Sequence, residues 1–98
     1  MNKEQYLLIK LAEECNEVAQ IALKAAQFGL DNIKPEQLLT NRERLNSEIG
    51  DIIVIIALLD GNDSFHLDEE SDEILFAKKA KVEKYLGVSM TLGKVQNV

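Results

Sequence analysis

Hydrophobic residues near the start of the chain recur every three or four positions, the spacing typical of one face of a helix. The pattern ends at Gly29, so it predicts a helix over residues 4–28 that is capped by this glycine in a left-handed conformation. The stripe consists of Leu7, Leu11, Glu14, Val18, Ile21, Ala25 and Phe28. Because a carboxylate in an apolar stripe is costly to desolvate, we expect Glu14 to be neutral, paired or bound to a cation.

A second face of this helix is made of small residues, which would allow another helix to approach closely. It consists of Leu8, Ala12, Cys15, Ala19, Ala22 and Ala26. Cys15 is the single cysteine, so the chain cannot form an internal disulfide. With no histidine near it in the sequence, Cys15 is expected to be a small buried residue rather than a nucleophile.

Thr40-Asn41-Arg42-Glu43 has the pattern of a capping box and predicts the start of a second helix that runs to Leu59. Residues 49–59 are rich in β-branched side chains, so a buried strand is the alternative. A helix is favoured because the cap, the length and the spacing of the acids agree with it. Its predicted apolar stripe is Leu45, Ile49, Ile52, Ile56 and Leu59, with Glu48 and Asp51 one step to the side.

Two pairs of acids share an i,i+3 spacing, Glu14 with Glu17 and Glu48 with Asp51. If the two helix faces meet, four carboxylates converge, which is untenable in an apolar interior unless divalent cations bind there. Ligands that offer only oxygen favour Mg²⁺ or Mn²⁺ over zinc. The alternative is that these acids are solvated, as acids on helices usually are. Glu13 beside them is either a solvated flank residue or a base outside the metal's ligand set.

A last helix is predicted over residues 69–86, ending at Gly87, and residues 34–38 are predicted to form a short helical turn. The expected fold is therefore an all-α bundle of about four helices in one domain, 1–98, with a core from about residue 6 to 86 and an unassigned tail, 87–98. On the last helix Lys78 lies in the middle of the apolar arc, where it would need an anionic partner, and Lys81 lies at its edge. Either lysine could contact phosphate or extend across the apolar face to solvent.

The 98 residues carry a net charge of −6, which argues against a nucleic-acid-binding protein, because such proteins neutralise phosphates with Lys and Arg. The longest apolar run, residues 52–59, is too short to span a membrane, and no signal-peptide pattern is present. We therefore expect a cytoplasmic protein with no membrane or nucleic-acid partner. A domain of this size often completes its core by self-association, so a homo-oligomer is expected.

The acids Glu13-Glu14-x-x-Glu17 and Glu48-x-x-Asp51 together resemble the E-E-x-x-E…E-x-x-D signature of the MazG-like superfamily, the all-α nucleoside triphosphate pyrophosphohydrolases. The resemblance is strongest to short, phage-type members. It implies a helical bundle assembled as a dimer or a dimer of dimers, with Mg²⁺ held by Glu14, Glu17, Glu48 and Asp51. One departure is the separation of the two halves by 30 residues, 18–47, at or beyond the long end of the expected range.

The resemblance also implies the reaction, in which a nucleoside triphosphate, often a deoxynucleotide, is hydrolysed to the monophosphate and pyrophosphate. Glu13 or a ligand carboxylate would accept a proton from the attacking water, and Lys78 or Lys81 would hold the leaving pyrophosphate. Two alternatives stay open: a non-catalytic helical adaptor, and a metal-dependent phosphohydrolase for another phosphorylated substrate. Base and sugar preference would depend on which side chains line the pocket; the candidates are Asn41, Asn46, Phe28, Tyr85 or residues of a second protomer.

Overall fold

The computed structural model of the chain describes residues 1–61, 65–66 and 68–96. It contains three α-helices, α1 (Lys3–Phe28), α2 (Asn41–Asp60) and α3 (Asp72–Thr91). Within these described ranges no strand is present, and the extended backbone is limited to one isolated bridge between Ile33 and Thr40. The all-α class is confirmed, and so is the choice of helix over strand for residues 49–59. The last part of the predicted tail, 97–98, lies outside the described residues.

Side-chain caps begin all three helices. At α1 the Asn2 side chain accepts from the N–H of Gln5, and the Gln5 side chain accepts from the N–H of Asn2. The predicted capping box of α2 is confirmed, because the Thr40 hydroxyl accepts from the N–H of Glu43 at 3.1 Å and the Glu43 carboxylate accepts from the N–H of Thr40 at 3.2 Å. Such caps satisfy backbone donors that have no partner inside the helix.

Gly29 ends α1 as predicted, but not in the left-handed helical conformation. Its φ of 98° and ψ of 152° are accessible to glycine and strained for other residues. Its N–H still donates to the carbonyl of Ala25 at 2.8 Å. The connector, residues 29–40, begins with a turn in which the N–H of Asn32 donates to the carbonyl of Gly29 at 3.3 Å.

The short helical turn predicted at residues 34–38 is wrong. The chain makes a single turn there, with the N–H of Gln37 donating to the carbonyl of Lys34 at 3.0 Å. Glu36 follows Pro35 with φ 71°, a left-handed conformation that interrupts helical geometry. A helix this short has too few internal hydrogen bonds to offset the entropy of nucleation.

The predicted limits of the last helix are also wrong. Helix α3 begins at Asp72, where the Ser71 side chain caps the N–H of Ile74, and it passes through Gly87 to Thr91. The backbone of Gly87 stays helical, and a positive φ of 74° occurs instead at Gly93, after the helix has ended. Because a glycine inside a helix costs only about 1 kcal/mol relative to alanine, its presence alone does not end the helix.

The chain forms two compact units, residues 1–67 and 68–98, and the prediction of a single domain stays a prediction. In the first unit α1 packs against α2. The predicted stripe of α1 forms this contact, because all its members except the exposed Phe28 are buried or half-buried. Leu7 and Ile21 of α1 and Leu59 of α2 are the buried hydrophobic side chains among the described residues.

The inward face of α2 differs from the predicted stripe by one position. Ile49, predicted inside, is 39% exposed, whereas Glu48 is half-buried. Asn41 at the start of α2 and Leu59 near its end are 2% and 0% exposed, and they set which side of the helix faces α1. Six of the buried or half-buried residues follow alternating spacings of four and three: Asn41, Leu45, Glu48, Ile52, Ile55 and Leu59. Arg44, Gly50 and Ile56, the last of them in the predicted stripe, are half-buried beside this face. Glu48 therefore occupies a packing position on α2 as Glu14 does on α1.

Apolar side chains are also exposed elsewhere among the described residues. The small-residue face of α1 is exposed along its length, and Cys15, which was expected to be buried, is exposed with it. No residue of α3 is buried. Among the described residues, none of the helices combines the length and the hydrophobicity needed to cross a membrane.

Candidate metal centre

Three carboxylates from two helices meet at the α1–α2 contact. Glu14 and Glu17 of α1 and Glu48 of α2 each place an oxygen so that all three oxygens lie within 4.8 Å of one another. Glu14 and Glu48 project from the packed faces, and Glu17 follows Glu14 by one helical turn at the exposed edge. The i,i+3 spacing on α1 and the rotation of α2 together create the cluster.

Two oxygens in this cluster have no hydrogen-bond partner. Oε2 of Glu14 and Oε2 of Glu48 are buried from solvent, and neither receives a hydrogen bond from any residue that the structure describes. Leaving a buried charged acceptor unsatisfied costs more than the ~1–3 kcal/mol typical of a neutral group. A proton shared between carboxyl groups, or a cation, would relieve this cost.

The pKa of Glu48 is raised from its ordinary 4.5 to about 7. The largest cause is hydrogen bonding to Glu14, and the next is hydrogen bonding to Glu17. Partial burial and repulsion from the charges of these two acids contribute less. A carboxylate can only accept hydrogen bonds, so contact between two carboxyl groups becomes a hydrogen bond only when one of them is protonated. With all carboxyl groups ionised, Oε2 of Glu14 and Oε2 of Glu48 therefore have no hydrogen-bond donor among the clustered acids. Near neutral pH, Glu48 is a site for a proton that a cation could replace.

The donor set suits a hard divalent cation. All three candidate ligands are carboxylate oxygens, and the group contains no histidine or cysteine. Mg²⁺ and Mn²⁺ favour such oxygen ligands, whereas zinc sites commonly include nitrogen or sulfur. Glu14, Glu17 and Glu48 are thus the residues that fit a metal, and each is one of the predicted ligands.

Asp51, the fourth predicted ligand, is exposed and is not one of the three acids that meet. It lies three residues after Glu48 and about 60° from it around the helix axis, at an exposed position, whereas Ile52 beside it is half-buried. Its role as a ligand stays a prediction.

A cavity of about 310 Å³ opens beside the acids and is lined by Glu17, Gln20, Ile21, Arg44 and Glu48. The Arg44 guanidinium makes no ion pair with any described residue, although it lies one helical turn before Glu48. An arginine that lines a cavity with two carboxylates provides a donor for an anion bound through a metal. Sequence reasoning missed Arg44, for which the available signal was its i,i+4 spacing to Glu48.

Glu13, predicted as a candidate base, is exposed and outside the cluster. Its carboxylate pairs with Nζ of Lys10 at 3.1 Å. The hydrogen bond from Lys10 and the charge of Glu13 raise the pKa of Lys10. The structure thus gives Glu13 a local partner, and its catalytic role stays a prediction.

The two predicted phosphate-binding lysines lie on α3, in the second unit. Lys78 was expected to need an anionic partner, and its Nζ lies 2.5 Å from Oε1 of Glu70. Lys81 is exposed and forms no ion pair with a residue in the described part of the chain. Phosphate contact by either lysine stays a prediction.

The chain matches no family model, no curated protein and no solved structure. The MazG-like resemblance accordingly depends on the five motif acids themselves, three of which the structure brings together.

The raised pKa of Glu48 predicts a pH-dependent stability in the absence of metal. Because the pKa in the folded chain, about 7, exceeds the ordinary 4.5, the folded chain holds a proton between these values that the unfolded chain has lost. The stabilisation that this proton gives the folded chain is complete below about pH 4.5 and declines as pH rises to about 7. We expect a loss of about 1 kcal/mol, less than the full shift implies because water screens a half-buried group.

Chemical denaturation in EDTA at several pH values measures this loss. Glu48→Gln should remove it, whereas Glu83→Gln, an acid-to-amide change on α3, should leave it unchanged. An identical pH profile for the wild type and Glu48→Gln would contradict the assignment.

Proposed function

We propose that the chain is a Mg²⁺-dependent nucleoside triphosphate pyrophosphohydrolase that releases a nucleoside monophosphate and pyrophosphate. The observation that carries the proposal is the meeting of Glu14, Glu17 and Glu48, with two buried oxygens left without partners. The order and spacing of these acids resemble the MazG-like signature. This resemblance supports a nucleoside triphosphate as the substrate. An all-α fold is consistent with that resemblance.

In this proposal Glu14, Glu17 and Glu48 hold the metal, with Mn²⁺ as a possible substitute for Mg²⁺, and Asp51 completes the ligand set from the next turn of α2. Bound Mg²⁺ would neutralise the triphosphate and acidify a water molecule. Glu13, or one of the ligand carboxylates, accepts the proton of the attacking water. Lys78 or Lys81 contacts the leaving pyrophosphate.

The two alternatives explain less of the site. A non-catalytic adaptor would have no use for acids whose buried oxygens lack hydrogen bonds, because apolar residues would pack there at lower cost. A phosphohydrolase for another substrate fits the same acids, and a substrate panel separates it from the proposed enzyme.

We further propose that the protein acts as a homo-oligomer, a dimer or a tetramer. One chain buries few hydrophobic side chains, and it leaves the small-residue face of α1 open for a second helix to approach. Burying that face against another copy would remove apolar surface from water, at about 25 cal/mol per Å².

Light scattering should therefore give the mass of two or four chains for the wild type. Ala19→Arg places a large charge in the centre of the small-residue face and should lower the mass, whereas Gln27→Arg, at an exposed polar position of α1, should not. A monomeric wild type would refute self-association, and an unchanged mass for Ala19→Arg would exclude this face.

Metal binding should raise thermal stability, because a cation relieves the repulsion between the clustered acids and binds only the folded chain. We expect an increase in Tm of several degrees with millimolar Mg²⁺ or Mn²⁺, measured by calorimetry. Glu48→Gln should remove most of the increase. Asp51→Asn tests the fourth ligand, since this variant should show a smaller metal-dependent increase in Tm only if Asp51 binds the metal. A full increase in Tm for Glu48→Gln would rule out the ligand set.

Activity is tested with a panel of canonical and modified ribo- and deoxynucleoside triphosphates in Mg²⁺, following monophosphate and pyrophosphate release. Turnover of at least one nucleotide is expected, with a reduction of at least a hundredfold in Glu17→Gln and none in the control Glu83→Gln. Absence of turnover with metal binding intact would favour the adaptor or another phosphorylated substrate.

A further inference from the structure

A second cavity, of about 370 Å³, lies where α1 ends, the connector turns and α2 begins. We call it the connector cavity; its lining includes Lys24 and Phe28 of α1, Lys34 of the connector, and Asn41 and Arg44 of α2. None of the five motif acids lines this cavity.

Backbone contacts hold the walls of the connector cavity in place. The N–H of Asn41 donates to the carbonyl of Asn32 at 3.0 Å, and the N–H of Arg42 donates to the carbonyl of Leu30 at 2.8 Å. The buried Asn41 side chain also donates through Nδ2 to the carbonyl of Gly29 at 3.0 Å. The connector is therefore tied to α2 at several points, and the cavity is formed without a ligand, as small-molecule sites usually are.

The lining of the cavity combines positive charge with an aromatic ring. Lys24, Lys34 and Arg44 form no ion pairs with described residues, in a chain whose net charge is −6. The Phe28 ring is 61% exposed, and Nζ of Lys24 lies 5.7 Å from its centre. Aliphatic side chains of the connector complete the lining. This chemistry suits a ligand with a flat ring and negative charge, since an aromatic face stacks on a base and cations contact phosphate.

Arg44 connects the connector cavity to the acid cluster, because it lines both cavities. On α1 the distance along the helix axis from Glu17 to Phe28, the residue on which the base would stack, is about 16 Å, from the rise per residue. An extended nucleotide with its phosphates at the acids can place its base at the end of α1.

We propose that the connector cavity binds the base and sugar of the nucleotide substrate, with the base stacked on Phe28 and Arg44 contacting the phosphate nearest the sugar. This inference rests on the proposed function for its substrate class, and it assigns a residue, Arg44, and a pocket that the motif does not include. Lys24 and Lys34 supply the positive potential that attracts the nucleotide.

The test measures binding without metal, so that it does not depend on turnover. Deoxynucleoside monophosphates are titrated into the full chain in EDTA and followed by calorimetry or NMR. At least one should bind more tightly than inorganic phosphate. Phe28→Ala should weaken it roughly tenfold or more, the range expected for loss of a stacked base. Arg44→Gln should weaken binding too, and should also raise the KM for the triphosphate.

Leu38→Ala is the matched control, since Leu38 belongs to the same connector, is 93% exposed and does not line the cavity. It should bind monophosphates as the wild type does. Binding of inorganic phosphate as tight as that of every monophosphate, or equal affinities for the wild type and Phe28→Ala, would overturn the inference. If Phe28→Ala hydrolyses triphosphates with an unchanged KM, the assignment of the connector cavity is wrong and the proposed reaction stands. If the wild type binds monophosphates but hydrolyses no triphosphate, the proposed reaction is wrong and the binding pocket stands.

Discussion

The contact between α1 and α2 places a carboxylate against a carboxylate, and the remaining features of the first unit follow from this constraint. Glu14 and Glu48 occupy packing positions that apolar residues would otherwise fill. An oxygen of each carboxylate lacks a hydrogen bond, so a proton or a cation at this point would stabilise the helix pair. Under the proposed function, the stability of the pair and the chemistry of the site are linked, because a cation bound by these acids would relieve their repulsion and also form the catalytic centre.

Local signals allowed much of the fold to be predicted from the sequence. The periodicity of α1 and the capping box at Thr40 are confirmed because each depends on residues a few positions apart. The rotation of α2 could not be predicted in this way, since a hydrophobic stripe favours Ile49 over Glu48 as the inward residue. What decides it is the burial of Asn41, whose hydrogen bond to Gly29 depends on the connector.

The candidate site was predictable to the same extent. The i,i+3 acids of both helices predicted a cluster of four carboxylates. The structure brings Glu14, Glu17 and Glu48 together, and Asp51 is exposed and outside the group. Arg44 was not predicted, although it lies four residues before Glu48 on the same helix. The connector cavity could not be predicted, because it depends on contacts between segments separated in sequence, such as the hydrogen bond from Arg42 to Leu30. Patterns along one helix carry no information about how the connector folds against the next helix.

The most direct test of the account is a crystal structure of the protein grown with Mn²⁺, with diffraction recorded at a wavelength where manganese scatters anomalously. We expect an anomalous peak among the carboxylates of Glu14, Glu17 and Glu48, at about 2.0–2.3 Å from their oxygens, typical of hard divalent cations. Carboxyl groups hydrogen-bonded to one another, with no anomalous peak between them at saturating Mn²⁺, would contradict it.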